Sequence, residues 1–120
     1  DSEFLKVKIE IIGEGNSAPD HATSIYLYHS KDSNEGWVDN KVIVKESENS
    51  FVPLPYNKTV TIEKHPEGGR VFLRGGFYGC ITVSKLDLFI NGERVCRKSY
   101  TSRSNDCSGS LYNLSCDYEY

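Results

Sequence analysis

The chain has 120 residues, a net charge of −3 and four cysteines. That length suits one domain spanning 1–120 with a core of its own. The acidity speaks against nucleic acid as a partner, because phosphate contacts need a clear basic excess. No run of about 18 apolar residues is present, which excludes a membrane-crossing helix. The start also lacks the basic-then-apolar pattern of a signal peptide, so a secreted form would have Asp1 as its mature start.

In chain order the pattern is β nearly throughout. Leu5, Val7, Ile9 and Ile11 alternate with Lys6, Lys8 and Glu10, the signature of a strand with one wet face. Gly13–His21 is rich in turn formers and reads as a loop. Residues 23–29 set Ile25 and Leu27 on one face and Tyr26 and Tyr28 on the other. After a polar loop over Lys31–Gly36, Trp37–Lys45 reads as a strand, with a short helix as the alternative. Pro53 and Pro55 make Phe51–Tyr56 irregular or an edge, since neither donates to a ladder. Residues 58–64 alternate again, and His65–Gly69 is a turn.

Gly75-Gly76 and Asn91-Gly92 both suit two-residue hairpin turns. Between them, Ile81 and Val83 are odd-numbered while Leu86, Leu88 and Ile90 are even-numbered, so the buried face switches near Ser84-Lys85. A β-bulge or a corner-turning strand accounts for such a switch. About eight or nine short strands with single wet faces point to an antiparallel β-sandwich, and a small closed barrel comes second.

Cys80, Cys96, Cys107 and Cys116 all fall in the last 41 residues. An even count in a small chain reads as disulfides and an oxidising, extracellular setting. The sequons at Asn57 and Asn113 agree with a secreted glycoprotein. Counting outward from Asn91-Gly92 sets Val95 against Leu88 and Cys96 against Asp87. Cys96 and Cys80 then point away from the core, and residues 99–120 form a tail that disulfides hold over an outer sheet face. The alternative connectivity joins Cys80 to Cys96 and Cys107 to Cys116.

No nucleophile elbow or zinc spacing is present, and no cofactor is implied. Glu63, His65, Glu67 and Arg70 offer a carboxylate, an imidazole and a guanidinium, the parts of a phosphodiester-cleaving site. A polar hairpin tip is the favoured explanation of them. Asp32, Asn34 and Asp39 resemble the start of a calcium loop, but the closing glutamate is missing. Tyr26, Tyr28 and Trp37 would form an aromatic platform if exposed, whereas Tyr78 is expected to be buried.

Charge is uneven: Arg70–Arg103 holds seven basic and two acidic residues. Within that stretch Arg94, Arg97, Lys98 and Arg103 are the anion-contact candidates, with Arg94 and Lys98 on one strand face and Arg97 on the other. The reading is a secreted, non-catalytic module that binds an extracellular carbohydrate or protein surface. A toxin or host-directed effector is the alternative, followed by a small secreted ribonuclease.

Overall fold

Alternating apolar residues build two sheets that pack face to face. The computed structural model describes residues 3–15, 21–47, 51–107 and 110–120. In chain order the strands are β1 (Phe4–Gly15), β2 (His21–Ala22), β3 (Ser24–Ser33), β4 (Gly36–Glu46), β5 (Val52–Pro53), β6 (Tyr56–Glu63), β7 (Gly69–Tyr78), β8 (Ile81–Ile90), β9 (Glu93–Tyr100) and β10 (Leu111–Glu119). The first sheet has the order β6-β1-β8-β9, the second β10-β7-β3-β4, and β2 pairs with β5. Every pairing is antiparallel and neither sheet closes on itself, so the architecture is the expected sandwich and not a barrel.

Val7, Ile9 and Ile11 of β1 and Leu86 and Leu88 of β8 meet Ile25 and Leu27 of β3 and Val71, Leu73 and Phe77 of β7, all fully buried. Each such side chain stabilises the fold by roughly 1.5–3 kcal/mol relative to exposure. The face switch in β8 is a bulge. Ile12 pairs with Lys85 and Gly13 with Val83, which leaves Ser84 as the extra residue. Its hydroxyl donates to the Ile12 carbonyl at 3.0 Å. Asn91 (φ 50°) and Gly92 (φ 87°) form the anticipated hairpin turn, whose left-handed φ values suit these two residues.

Trp37–Lys45 lies within strand β4, as expected, and the alternative of a short helix does not occur. Other expectations are corrected. Strand β1 continues through Gly15, so the loop begins later than expected, and residues 16–20 lie outside the described residues. Gly75 and Gly76 do not turn the chain; they sit inside β7, and the turn falls at Gly79-Cys80. Packing explains the pair. A Cβ on Gly75 would come within 2.8 Å of the Phe77 ring and 3.0 Å of Leu86, while one on Gly76 would strike the Ser24 and Thr23 hydroxyls.

The cysteines face differently from the outward count. A register shift after Phe89 sets Phe89 against Arg94 and Leu88 against Cys96. The extra residue, Val95, turns Cys96 to the Leu88 side, toward the other sheet. Cys80 is fully buried. The bonds are Cys80–Cys107 and Cys96–Cys116, so each joins a residue of the 80–96 region to the tail, and the alternative connectivity does not occur. The tail does not cover an outer face. Leu111–Glu119 adds an edge strand to the second sheet beside β7. Since β9 is the edge of the first sheet, Cys96–Cys116 closes one open side of the sandwich.

Replacing Cys96 and Cys116 together by alanine should lower unfolding free energy by about 3 kcal/mol in urea titration, the loop-closure value for this separation. A loss under about 1 kcal/mol would show that packing alone holds β9 to β10. Gly75→Ala should cost about 1–3 kcal/mol by overpacking against Phe77 and Leu86. An unchanged midpoint would show that the Phe77 ring can yield.

Candidate functional site

Strand alternation gives the second sheet an outer face of rings and guanidinium groups. Ile25, Leu27, Val71 and Leu73 point into the core, so Tyr26, Tyr28, Arg70, Phe72 and Arg74 point outward. Register sets Tyr26 beside Arg74, Tyr28 beside Phe72 and Ser30 beside Arg70. The Arg74 guanidinium lies 5.3 Å from the Tyr26 ring centroid and 5.9 Å from that of Tyr28. It also donates to the Tyr28 hydroxyl at 3.3 Å. The Arg70 guanidinium lies 4.9 Å from the Phe72 ring and 5.5 Å from that of Trp37. Tyr26 and Tyr28 stack with centroids 5.9 Å apart. Trp37 and Val42 of β4 extend the patch and are 36% and 45% exposed. Asp117 and Glu119 of β10 border it, opposite Phe72 and Arg70.

Each ring–cation contact contributes about 0.5–1 kcal/mol at an exposed site, and together they hold long side chains in place before any ligand arrives. Tyr26, Tyr28 and Trp37 are therefore brought together as candidates. Arg70, Phe72 and Arg74 complete the patch and were missed as binding residues. Their signal was present, because they alternate with Val71 and Leu73.

The basic candidates lie elsewhere. Arg97 grips Asp87 through Nε at 2.8 Å and Nη2 at 2.9 Å. The Asp87 side chain is fully buried, and the Arg97 hydrogen bond holds its carboxyl below the usual carboxylate range, against the opposing effect of burial. Arg94 pairs with Phe89 and Arg97 with Asp87, so these two share the outer face of the first sheet, whereas Lys98 pairs with Leu86. This reverses the expected face assignment, for the same reason that Cys96 is turned. Arg103 is exposed in the segment after β9. The four cations form no single group, and the aromatic patch lies on the opposite outer face of the sandwich.

The proposed acid/base group is also dispersed. Arg70 belongs to the aromatic face, and Glu67 lines a separate cleft with Lys31 and Asp32. His65 instead stacks on His29, ring centroids 4.3 Å apart. A cleft of about 400 Å³ opens beside them, lined by Lys41, Ile43, Thr61 and Glu63. The Tyr120 hydroxyl accepts from the His65 backbone N–H at 2.8 Å and lies 2.8 Å from His29 Nε2. Either group donates in the His29–Tyr120 contact according to the His29 tautomer, and in both cases the hydroxyl orients the ring. Burial, then the neighbouring His65 and Lys41, push the His29 pKa down from its ordinary 6.5. His21 sits apart, against Phe51 and Tyr78.

Tyr78 is half-buried there. Asp32, Asn34 and Asp39 lie along the β3–β4 hairpin, where the Ser33 hydroxyl bonds the Glu35 amide and the Gly36 carbonyl. Among the described residues no group of three or more histidine, cysteine, aspartate or glutamate side chains is placed to hold a metal ion. Asn57 of β6 and Asn113 of β10 are both exposed. Among the described residues no helix is long and apolar enough to cross a membrane.

A depressed His29 pKa means that the unfolded chain binds this proton more readily than the folded one. The stabilisation is therefore complete above about pH 6.5 and is lost as pH falls toward the folded value. Thermal midpoints should drop between about pH 7 and pH 5, and His29→Leu should flatten that drop. Equal slopes in the two proteins would remove His29 as the cause. Tyr120→Phe should cost about 1–3 kcal/mol at neutral pH by stranding the His65 amide and His29 Nε2. Searches of protein-family models, curated proteins and solved structures each find no match to this chain.

Proposed function

We propose that this chain is a secreted, non-catalytic binding module that engages a partner protein through the outer face of its second sheet. The carrying observation is the interleaving of Arg70 and Arg74 with Tyr26, Tyr28, Trp37 and Phe72 across β7, β3 and β4. Tyrosine, tryptophan and arginine are the residues that dominate protein–protein binding energy, because they combine large contact area with directed polar groups. Here they are already ordered by their neighbours.

The same geometry favours a protein over a carbohydrate. A sugar ring stacks on an open aromatic face, and here guanidinium groups already lie over the rings. Apart from the buried Arg70 Nε and the Arg74 Nη2 bound to Tyr28, the guanidinium N–H groups can donate to carboxylates and carbonyls of a partner surface. The two disulfides support an oxidising, extracellular setting. The non-catalytic reading draws on the histidines: His29 is engaged by Tyr120, and His65 is stacked against it rather than set across a substrate-sized gap.

Binding of the labelled protein to intact cells tests this reading. Surface proteolysis should abolish binding, enzymatic removal of N- and O-linked glycans, which leaves sulfated polysaccharides in place, should spare it, and Trp37→Ala with Arg74→Gln should weaken it about tenfold or more. Loss on glycan removal would transfer the site to carbohydrate. Undiminished binding by the substituted protein would remove this face from the function.

A further inference from the structure

The outer face of the first sheet carries a second, chemically different patch. Leu5, Val7 and Ile9 of β1 are buried, as are Leu88 and Ile90 of β8. Lys6, Lys8, Lys85 and Phe89 therefore point outward, joined across β9 by Arg94 and Arg97. Two acids share this face centre. Glu10 is held by Lys85 at 2.6 Å and Lys8 at 3.5 Å, while Asp87 is held by Arg97 at 2.8 Å and Lys85 at 4.0 Å. A third, Glu63, stands at the far end opposite Phe4.

The signs are layered by depth. The Asp87 side chain is fully buried and that of Glu10 is 20% exposed, whereas those of Lys8 and Arg97 are 40% and 44% exposed. Solvent thus meets the cations first. Among the described residues Lys6 and Arg94 make no salt bridge, although Arg94 is near enough to Asp87 to help lower its pKa.

One end of the face is also built as a basin. A row of residues crosses all four strands: Thr59, Lys8, Phe89 and Arg94. The next position on β1 is Lys6, paired with Thr61 on one side. On the other side its N–H donates to Asn91 Oδ1 and its carbonyl accepts from the Asn91 N–H, both at 2.9 Å. The β8–β9 turn is thereby fastened to β1. A cleft of about 260 Å³ lies between Lys6, Lys8, Phe89 and Gly92, with the Lys8 ammonium 5.2 Å from the Phe89 ring centroid.

We infer that this face is a docking surface for a sulfated polysaccharide, with Lys6, Lys8 and Arg94 as its main contacts and the Thr59 and Thr61 hydroxyls as supporting donors. Cations two residues apart on a strand recur at about 6.8 Å, and Arg94 stands about 10 Å across the sheet from Lys8, which suits an extended chain with several anionic groups. An acidic peptide is the weaker occupant. Extended peptides add to sheet edges through backbone hydrogen bonds, and at the centre of this face the backbone groups are already used in the ladders. Only side-chain charge is on offer, and a polysaccharide that presents sulfates asks for nothing else.

Titration calorimetry with a sulfated glucosamine–uronate decasaccharide at near-physiological salt tests the inference. The sulfated probe should bind and its desulfated form should not. Lys6→Gln, Lys8→Gln and Arg94→Gln should each weaken binding several-fold, and the triple substitution about a hundredfold. Arg70→Gln with Arg74→Gln, on the other sheet, should leave it unchanged. The single substitutions serve if the triple one does not fold. No binding of the sulfated probe, equal binding of the desulfated form, or equal loss on substituting Arg70 and Arg74 would overturn the inference. So would tighter binding of polyglutamate or of phosphatidylserine vesicles than of the decasaccharide.

Discussion

The bond between Cys96 and Cys116 is the constraint on which much of the rest depends. It ties the edge of one sheet to the edge of the other, across the side of the sandwich where β9 and β10 meet. The strand it anchors is the last in the chain, and that strand has two further tasks. It carries Tyr120 to the histidine pair, and it sets Asp117 and Glu119 along the border of the aromatic face. Tyr112 adds a non-covalent tie near the start of β10, donating its hydroxyl to the Ile81 carbonyl on β8. Placement of β10 thus sets both the cleft and one margin of the aromatic face.

The opposite side, where β4 faces β6, carries neither disulfide: Val44 and Ile62 pack in the core there, and polar contacts rim it. Glu46 of β4 accepts from the Tyr56 hydroxyl at 2.8 Å and pairs with Lys58 at 3.6 Å. Burial, followed by this carboxylate, pushes the Tyr56 pKa up, so the hydroxyl stays protonated and remains a donor. Farther along lie His29 and His65. A disulfide acts mainly by restricting the unfolded chain, whereas these contacts act in the folded state and respond to protons. Acid should therefore loosen the β4–β6 side before the β9–β10 side, which makes opening of this sandwich asymmetric.

Much of this was legible in the sequence because alternation with period two survives folding. The wet and dry faces of β1, β3 and β8 could be read directly, as could the bulge at Ser84 and the turn at Asn91-Gly92. What resisted reading were positions whose meaning lies on another strand. Gly75-Gly76 has the composition of a turn, and only the Phe77 ring and the Thr23 and Ser24 hydroxyls packed against it show why side chains are absent. The register shift at Val95 leaves no trace in residue type, yet it decides the facing of Cys96, Arg97 and Lys98 together. The pairing of Tyr26 and Tyr28 with Arg74 and Phe72 needed the β3–β7 register, and the meeting of His29 with His65 needed both sheets in place.

The two outer faces handle positive charge in opposite ways, and this separates their behaviour. On the second sheet, ring faces stabilise Arg70 and Arg74 through a quadrupole that carries no net charge, while Arg74 also donates to the Tyr28 hydroxyl. On the first sheet, carboxylates lie beneath Arg97 and Lys85, and among the described residues Lys6 and Arg94 form no salt bridge and are exposed to solvent. Salt screens exposed charges over a Debye length of about 8 Å at physiological strength, and it acts far less on short contacts desolvated at an interface. Binding through the first face should therefore weaken steeply as salt rises, whereas binding through the second depends on shape and on the placement of donors. As proposed, the molecule would hold a polyanion on one side through charge and a protein on the other through fit. Neither contact needs to disturb the core between them.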